Sequence, residues 1–314
     1  MFLLLCVSTT ALAQRGMHEV ASGPLLFRAW PGQAELARAL AEAFARSPAP
    51  PGLPPDVLSD RRVIVFLPPD RATFDSLAPA APDWAAGLAF PEGNRIVLPT
   101  FAYREGGRLV TVLRHEVAHI AVRRYLGPSA PRWFHEGYAQ LAAGSWQADQ
   151  AWKLRFAILM GRVPSLQSLS LDFGRRRLNA EHAYLLSYTA VEYLYRLGGD
   201  QGFTRLLARW RESGQLDRSL RETYGITLSQ FERLWRRDVA NRFGWLLVLG
   251  QTAVFWSILT ILLLVLGYWK KRRNRRKLAA LEAATAGAQA DEEARSFGEV
   301  ADTHFPIDEE EGTE

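Results

Sequence analysis

Cysteine is almost absent from this 314-residue chain, and Cys6 is the only one. One cysteine excludes an intramolecular disulfide and any cysteine-built metal cluster. Histidine is scarce too, with six in the whole chain. Repeats are also lacking, and a composition of 48% hydrophobic and 23% charged residues excludes both wholesale disorder and a polytopic membrane protein. The net charge of +5 is unevenly spread. Seven of the eight residues in 270–277 (KKRRNRRK) are basic, whereas 278–314 carries eleven acids against the single Arg295. What remains, residues 14–242, is only mildly basic and demands no nucleic-acid partner.

Both ends speak to location. Residues 2–13 (FLLLCVSTTALA) are apolar and then small, and Ala11-Leu12-Ala13 has the form of a signal-peptidase site. Cleavage is expected before Gln14 and would remove Cys6. Residues 245–268 hold no charge over 24 positions. As a helix that run is about 36 Å long, enough to cross a hydrocarbon core of about 30 Å. Phe243 and Trp245 flank one end, Tyr268 and Trp269 the other, as interfacial belts do. The basic run that follows places the C-terminus in the cytoplasm and residues 14–242 outside it, in a protein of the cell membrane. The expected organisation is a signal peptide over 1–13, an extracytoplasmic domain over 14–242, a single transmembrane helix over 243–269, and over 270–314 a basic stop with an acidic, disordered tail. A short helix over 276–288 is the one element expected in that tail, and no feature of it specifies a partner.

Within 14–242 the pattern changes from mixed to helical. Leu25–Trp30 and Arg62–Leu67 read as strands, and Gln33–Arg46 has apolar residues at helical spacing. Five prolines in Ser47–Asp56 require a loop. A short helix begins at Phe74. Gly87–Phe90 and Arg95–Leu98 flank a Pro-Glu-Gly-Asn turn, which reads as a hairpin. Helices follow at Arg108–Leu126, 132–144, 149–160, 181–197, 200–212, 216–223 and 228–242. The β/α front half and the helical back half meet at the 108–126 helix.

That junction helix carries His115-Glu116-Val117-Ala118-His119, an H-E-x-x-H motif. Its two histidines stand one turn apart on one face and can share a zinc ion. Glu116 is placed to reach water at the metal without binding the metal, as a general base must. A catalytic zinc needs a third protein ligand and an open position. The run Trp133-Phe134-His135-Glu136-Gly137-Tyr138-Ala139, whose Glu136 lies seventeen residues after His119, supplies it, with Pro131 ready to start a second, antiparallel helix. Glu136 is the expected ligand. His135 is the rival, and both cannot easily face one ion, because neighbouring helical positions point about 100° apart. Gly137 is expected to let helices approach closely.

These residues resemble the gluzincin zinc metallopeptidases, and specifically the peptidase MA-like domain, in which H-E-x-x-H is followed by W-x-x-E-G-x-A. The likeness runs from about residue 60 to 240 and takes in the strand region IVFLPPDRATFDSL, the helix AYLLSYTAVEYLYRLGG and the closing FERLWRR. It implies an α+β fold with a thermolysin/gluzincin-like mixed β/α N-terminal subdomain and a helical C-terminal subdomain, followed here by one transmembrane helix. It also implies Zn2+ held by His115, His119 and Glu136, Glu116 as base, and a peptide or protein substrate. Gluzincins add a Tyr or His from the helical half to steady the oxyanion. Tyr184 is the candidate by likeness of its helix, with Tyr188, Tyr138 and His182 as rivals. Gln140 stands where the thermolysin-like group has an Asp that orients a ligand histidine. The G-x-M-E-N motif of the large aminopeptidases is absent. Strand Arg95–Leu98 reads equally as an edge for pairing with an extended peptide and as an ordinary half-buried strand. The leading expectation is therefore a membrane-anchored zinc metallopeptidase. The alternative is a catalytically inactive, membrane-tethered binding or assembly module on the same fold, against which the intact Glu116 argues.

Overall fold

Strand β1 (His18–Ser22) turns through Gly23, at φ 53°, into strand β2 (Leu25–Ala29). The computed structural model in which this is seen describes residues 16–79, 81–82, 85–103, 106–145, 154–155, 163–172 and 177–301. The expected signal peptide and most of the expected 149–160 helix lie outside the described residues. The chain divides into two units, Met1–Leu247 and Val248–Glu314.

The first unit is α+β and mostly helical. Its five-stranded sheet has the order β1-β2-β3-β5-β4, where β3 is Val63–Leu67, β4 Leu88–Phe90 and β5 Arg95–Val97. The outer pairs β1–β2 and β4–β5 are antiparallel, and the inner pairs β2–β3 and β3–β5 are parallel. Parallel neighbours need a crossover. Helix α1 (Ala34–Ala45) and the proline-rich loop provide it between β2 and β3. The sheet is covered on both faces: Leu25, Phe27, Ala29, Val63 and Val65 join the main core, while Phe66 and Val97 pack with Phe74 of helix α2 (Arg71–Leu77) in a smaller one. Asp70 caps α2 by accepting the Thr73 N–H at 2.8 Å.

This order decides between the two readings of the Arg95–Leu98 strand. β5 lies between β3 and β4 as an interior strand, so the edge on that side is β4. The hairpin itself is as expected, with Asn94 in the left-handed region at φ 47°.

Helix α3 (Gly106–Leu126) buries Leu109, Leu113, Val117, Ile120 and Ala121 against the sheet and the later helices. Two arginines fix its position. Near its end Arg124 reaches back to the hairpin and the start of β3, donating to Asn94 Oδ1 (2.7 Å), Asp60 Oδ1 (2.8 Å) and the Arg61 carbonyl (2.9 Å). In its middle Arg114 donates to the Ala142 carbonyl of helix α4 (Arg132–Ala143). Helix α4 begins after Pro131 and ends at Gly144, a left-handed C-cap with φ 63°.

The remaining elements are α5 (Leu166–Asp172), α6 (Arg177–Ser213), α7 (Leu216–Tyr224) and α8 (Leu228–Ala301). Helix α6 is two helices joined across Gly199, where φ is 61°. The core between α4, α6 and α8 is aromatic: Phe134 packs edge-on against Trp210 at 4.7 Å, and Trp133 stacks on Phe231. Trp235 donates its buried Nε1–H to Thr189 at 3.0 Å. Gly137 sits where α4 touches α6. A Cβ there would lie 2.2 Å from the Ser187 carbonyl oxygen, so only glycine permits the approach. The close contact expected of Gly137 is thus made with α6.

Among the described residues of the second unit one segment, Val254–Arg275, is long and apolar enough to cross a membrane, and none of its most apolar stretch is buried. Helix extends to Ala301, well beyond the 276–288 expected.

Candidate metal centre

Helix geometry puts His115 and His119 on one face of α3, and their Nε2 atoms stand 3.1 Å apart. Helix α4 brings Glu136 against them, with Oε2 at 3.5 Å from His119 Nε2 and 3.9 Å from His115 Nε2. All three ligand-type atoms lie within 4.8 Å of one another. Zinc takes His nitrogen and carboxylate oxygen at about 2.0–2.2 Å, and a tetrahedral arrangement sets such ligands about 3.4 Å apart. The spacings of 3.1, 3.5 and 3.9 Å bracket that value. Two imidazole nitrogens and one carboxylate oxygen are also the donor set of a catalytic zinc with one position left open. The residues fit the ion.

The electrostatics agree with the geometry. Burial, with help from neighbouring His119, pushes His115 down to about 3, leaving a neutral imidazole able to ligate. Burial would raise Glu136, but His119, His115 and Arg132 outweigh it and hold the carboxylate below its usual range. Burial would likewise lower His119, yet the Glu136 and Glu116 carboxylates prevail and raise it. Glu116 is 7% exposed. Burial and the Glu136 charge raise it to about 7, against the lowering effects of His119 and a hydrogen bond from the Ala89 backbone. A carboxyl poised there suits proton transfer at neutral pH.

The cluster opens into a cavity of about 760 Å³. Its lining includes Leu88 and Ala89 of the edge strand β4 with Ala86 and Gly87 before it, and Glu181, Tyr184 and Leu185 of α6. Gly87 is needed here, since a Cβ would come within 2.8 Å of Val112 and 3.0 Å of Glu116.

Among the tyrosine and histidine candidates, Tyr184 alone lines the cavity. Burial first, then the Glu136 and Glu116 charges, pushes its hydroxyl well up, so it remains a protonated donor. Tyr138 is buried in the core and donates to the Pro51 carbonyl at 2.7 Å. Tyr188 and His182 are not among the lining residues. His135 lines the cavity outside the three-atom group, its ring centre 6.3 Å from that of His119. Burial and His119 bring it down to about 4.

The roles of two residues escaped the sequence reading. Gln140 Nε2 donates to the Tyr184 carbonyl at 2.9 Å and so steadies α6 at the cavity wall. Arg132, read only as part of a helix start, places Nε 3.8 Å from Glu136 Oε1. Its i,i+4 spacing from Glu136 was a signal that could have found it.

Crystal structures of an M1 zinc metallopeptidase from Deinococcus radiodurans are similar. One, a mutant bound to a Tyr-Ser-Ala substrate, is 17% identical with a TM-score of 0.38, over 70% of this chain and 51% of that one. Another is 17% identical with a TM-score of 0.35, over 70% and 50%. A two-domain M1 zinc metallopeptidase mutant bound to L-arginine is 16% identical with a TM-score of 0.36, over 70% and 51%. The chain spans about half the length of these solved structures. No curated protein matches it. The family model of the peptidase MA superfamily matches residues 72–241, more than half of the chain and the whole of the site, and the protein belongs to that superfamily.

Proposed function

We propose that this protein is a membrane-anchored zinc metallopeptidase that hydrolyses peptide bonds. The observation that carries the reading is the convergence of His115, His119 and Glu136 within 4.8 Å, with buried Glu116 beside them, at the wall of a cavity bounded by a strand edge.

His115, His119 and Glu136 would hold the ion. Bound zinc supplies Lewis acidity and lowers the pKa of a coordinated water to about 7. Glu116 takes a proton from the attacking water and returns it to the leaving amine, for which a carboxyl near neutrality is well matched. Tyr184 stays protonated and donates to the oxyanion that develops on the scissile carbonyl. The edge of β4 pairs with an extended peptide and lays it along the cavity.

In this reading residues 1–13 are a cleaved signal, 14–242 the extracytoplasmic catalytic domain, 243–269 the membrane segment and 270–314 the cytoplasmic part. The described apolar stretch Val254–Arg275 supports the anchor, and the exposed basic run 270–275 supports its orientation.

The test is peptide cleavage by the full chain in detergent micelles, with a quenched peptide library. Chelation should stop cleavage and added zinc should restore it. Cleavage that survives complete removal of metal would overturn the reading.

A further inference from the structure

Arg132 opens helix α4 one turn before Glu136, and half of its side chain is exposed. Its Nε stands 3.8 Å from Oε1 of Glu136, while Oε2 of the same carboxylate faces His119 and His115 at 3.5 and 3.9 Å. One carboxylate therefore presents its two oxygens to different partners. The Arg132 side chain is also hydrogen-bonded to Tyr184, across the cavity wall on α6. Nothing in the mechanism above uses this guanidinium. Gln140, at the place of the thermolysin-like Asp, gives its Nε2 to the Tyr184 carbonyl. The side chain that engages the ligand carboxylate from outside the cluster, and also reaches the cavity tyrosine, is Arg132.

Resting on the zinc reading of the site, we propose that Arg132 is a positioning residue that holds Glu136 Oε1 aside, so that the ion is offered Oε2 alone, and holds the Tyr184 hydroxyl at the cavity wall. A carboxylate free to swing would offer both oxygens and occupy the position that a catalytic zinc keeps open. The planar guanidinium suits the task because its donors diverge in fixed directions and it stays charged. A lysine ammonium has a single charged centre and cannot span both partners in that way. The i,i+4 spacing keeps Arg132 and Glu136 on one face of α4, so the link survives small movements of α6.

The experiment is zinc affinity of the full chain by competition with a fluorescent chelator, together with kcat and KM, for wild type, Arg132→Met, Arg132→Gln and Arg132→Lys. Loss of a partner that orients a metal ligand weakens metal binding about 10- to 100-fold. That loss is expected in Met and Gln, with kcat lowered, and Lys should restore little of either. The melting temperature of the metal-free protein should not move, because the side chain is half exposed. Unchanged zinc affinity and kcat in both Met and Gln would overturn the proposal. So would a rise in KM alone, which would place Arg132 on the substrate. A wild-type chain that binds no zinc would overturn the zinc reading itself, whereas zinc-binding wild type with indifferent variants would overturn only the role of Arg132.

Discussion

Helices α3 and α6 face the same cavity and reach it by different routes. Helix α3 contributes His115, Glu116 and His119 from five consecutive residues, so the helical repeat alone sets their directions. Helix α6 contributes Glu181, Tyr184 and Leu185, and their place depends on α4. The Gly137 contact at Ser187 fixes how near α6 lies, and the Gln140 bond to the Tyr184 carbonyl fixes its register. A site of this kind has one half written in local spacing and one half written in packing. The two halves should respond to mutation differently.

The largest effect belongs to α3. In His119→Ala the ion loses one of three protein ligands, and both bound zinc and hydrolysis should fall below detection while the circular dichroism spectrum stays native. Metal analysis and the spectrum check this together. A variant that keeps its zinc would break the claim that His119 of α3 is one of the three ligands.

On the α6 side the first expectation concerns chemistry without metal loss. Tyr184→Phe should keep a full complement of zinc and lose about 10²–10³ in kcat, the cost of one oxyanion donor. A loss in KM alone would make Tyr184 a binding residue. The next concerns packing. Gly137→Val forces side-chain atoms into the Ser187 backbone and should destabilise the fold by about 3 kcal/mol, read by denaturant unfolding. If it unfolds no more readily than wild type, α6 is not held where α4 puts it.

The smallest effect lies away from both helices. The Thr73 backbone N–H, and after it the Thr73 hydroxyl, donate to Asp70 and hold its carboxyl below the ordinary range. A depressed folded pKa stabilises above the unfolded value of about 4 and is lost as pH falls through the folded one. Asp70→Ala should therefore lower the melting temperature slightly at neutral pH, and the gap from wild type should close in acid.

The same division explains what the sequence made legible. His115, Glu116, His119 and Glu136 could be read because two motifs place chemistry at fixed spacing, and the strands and helices around them follow from apolar periodicity. Strand β1 (HEVAS) was missed because it carries no clean alternation, most of its residues being exposed or half exposed. That β5 is interior and β4 the edge could not be decided for a related cause: sheet order is set by pairing between distant segments, and β5 returns to lie beside β3. Arg132 and Gln140 belong to the same class, since what each touches depends on where α6 comes to rest. The reach of helix to Ala301 was not legible in a tail rich in acids, where composition argues for solvation and leaves length open.

The measurement that bears most directly on the central claim is zinc content and peptide cleavage for wild type beside Glu116→Gln. The substitution is nearly isosteric at a buried position and removes only the capacity to carry the proton. The account predicts one zinc per chain in both, with cleavage lowered about 10²–10⁴-fold in the variant. Equal cleavage by the two proteins, or zinc in neither, would contradict it.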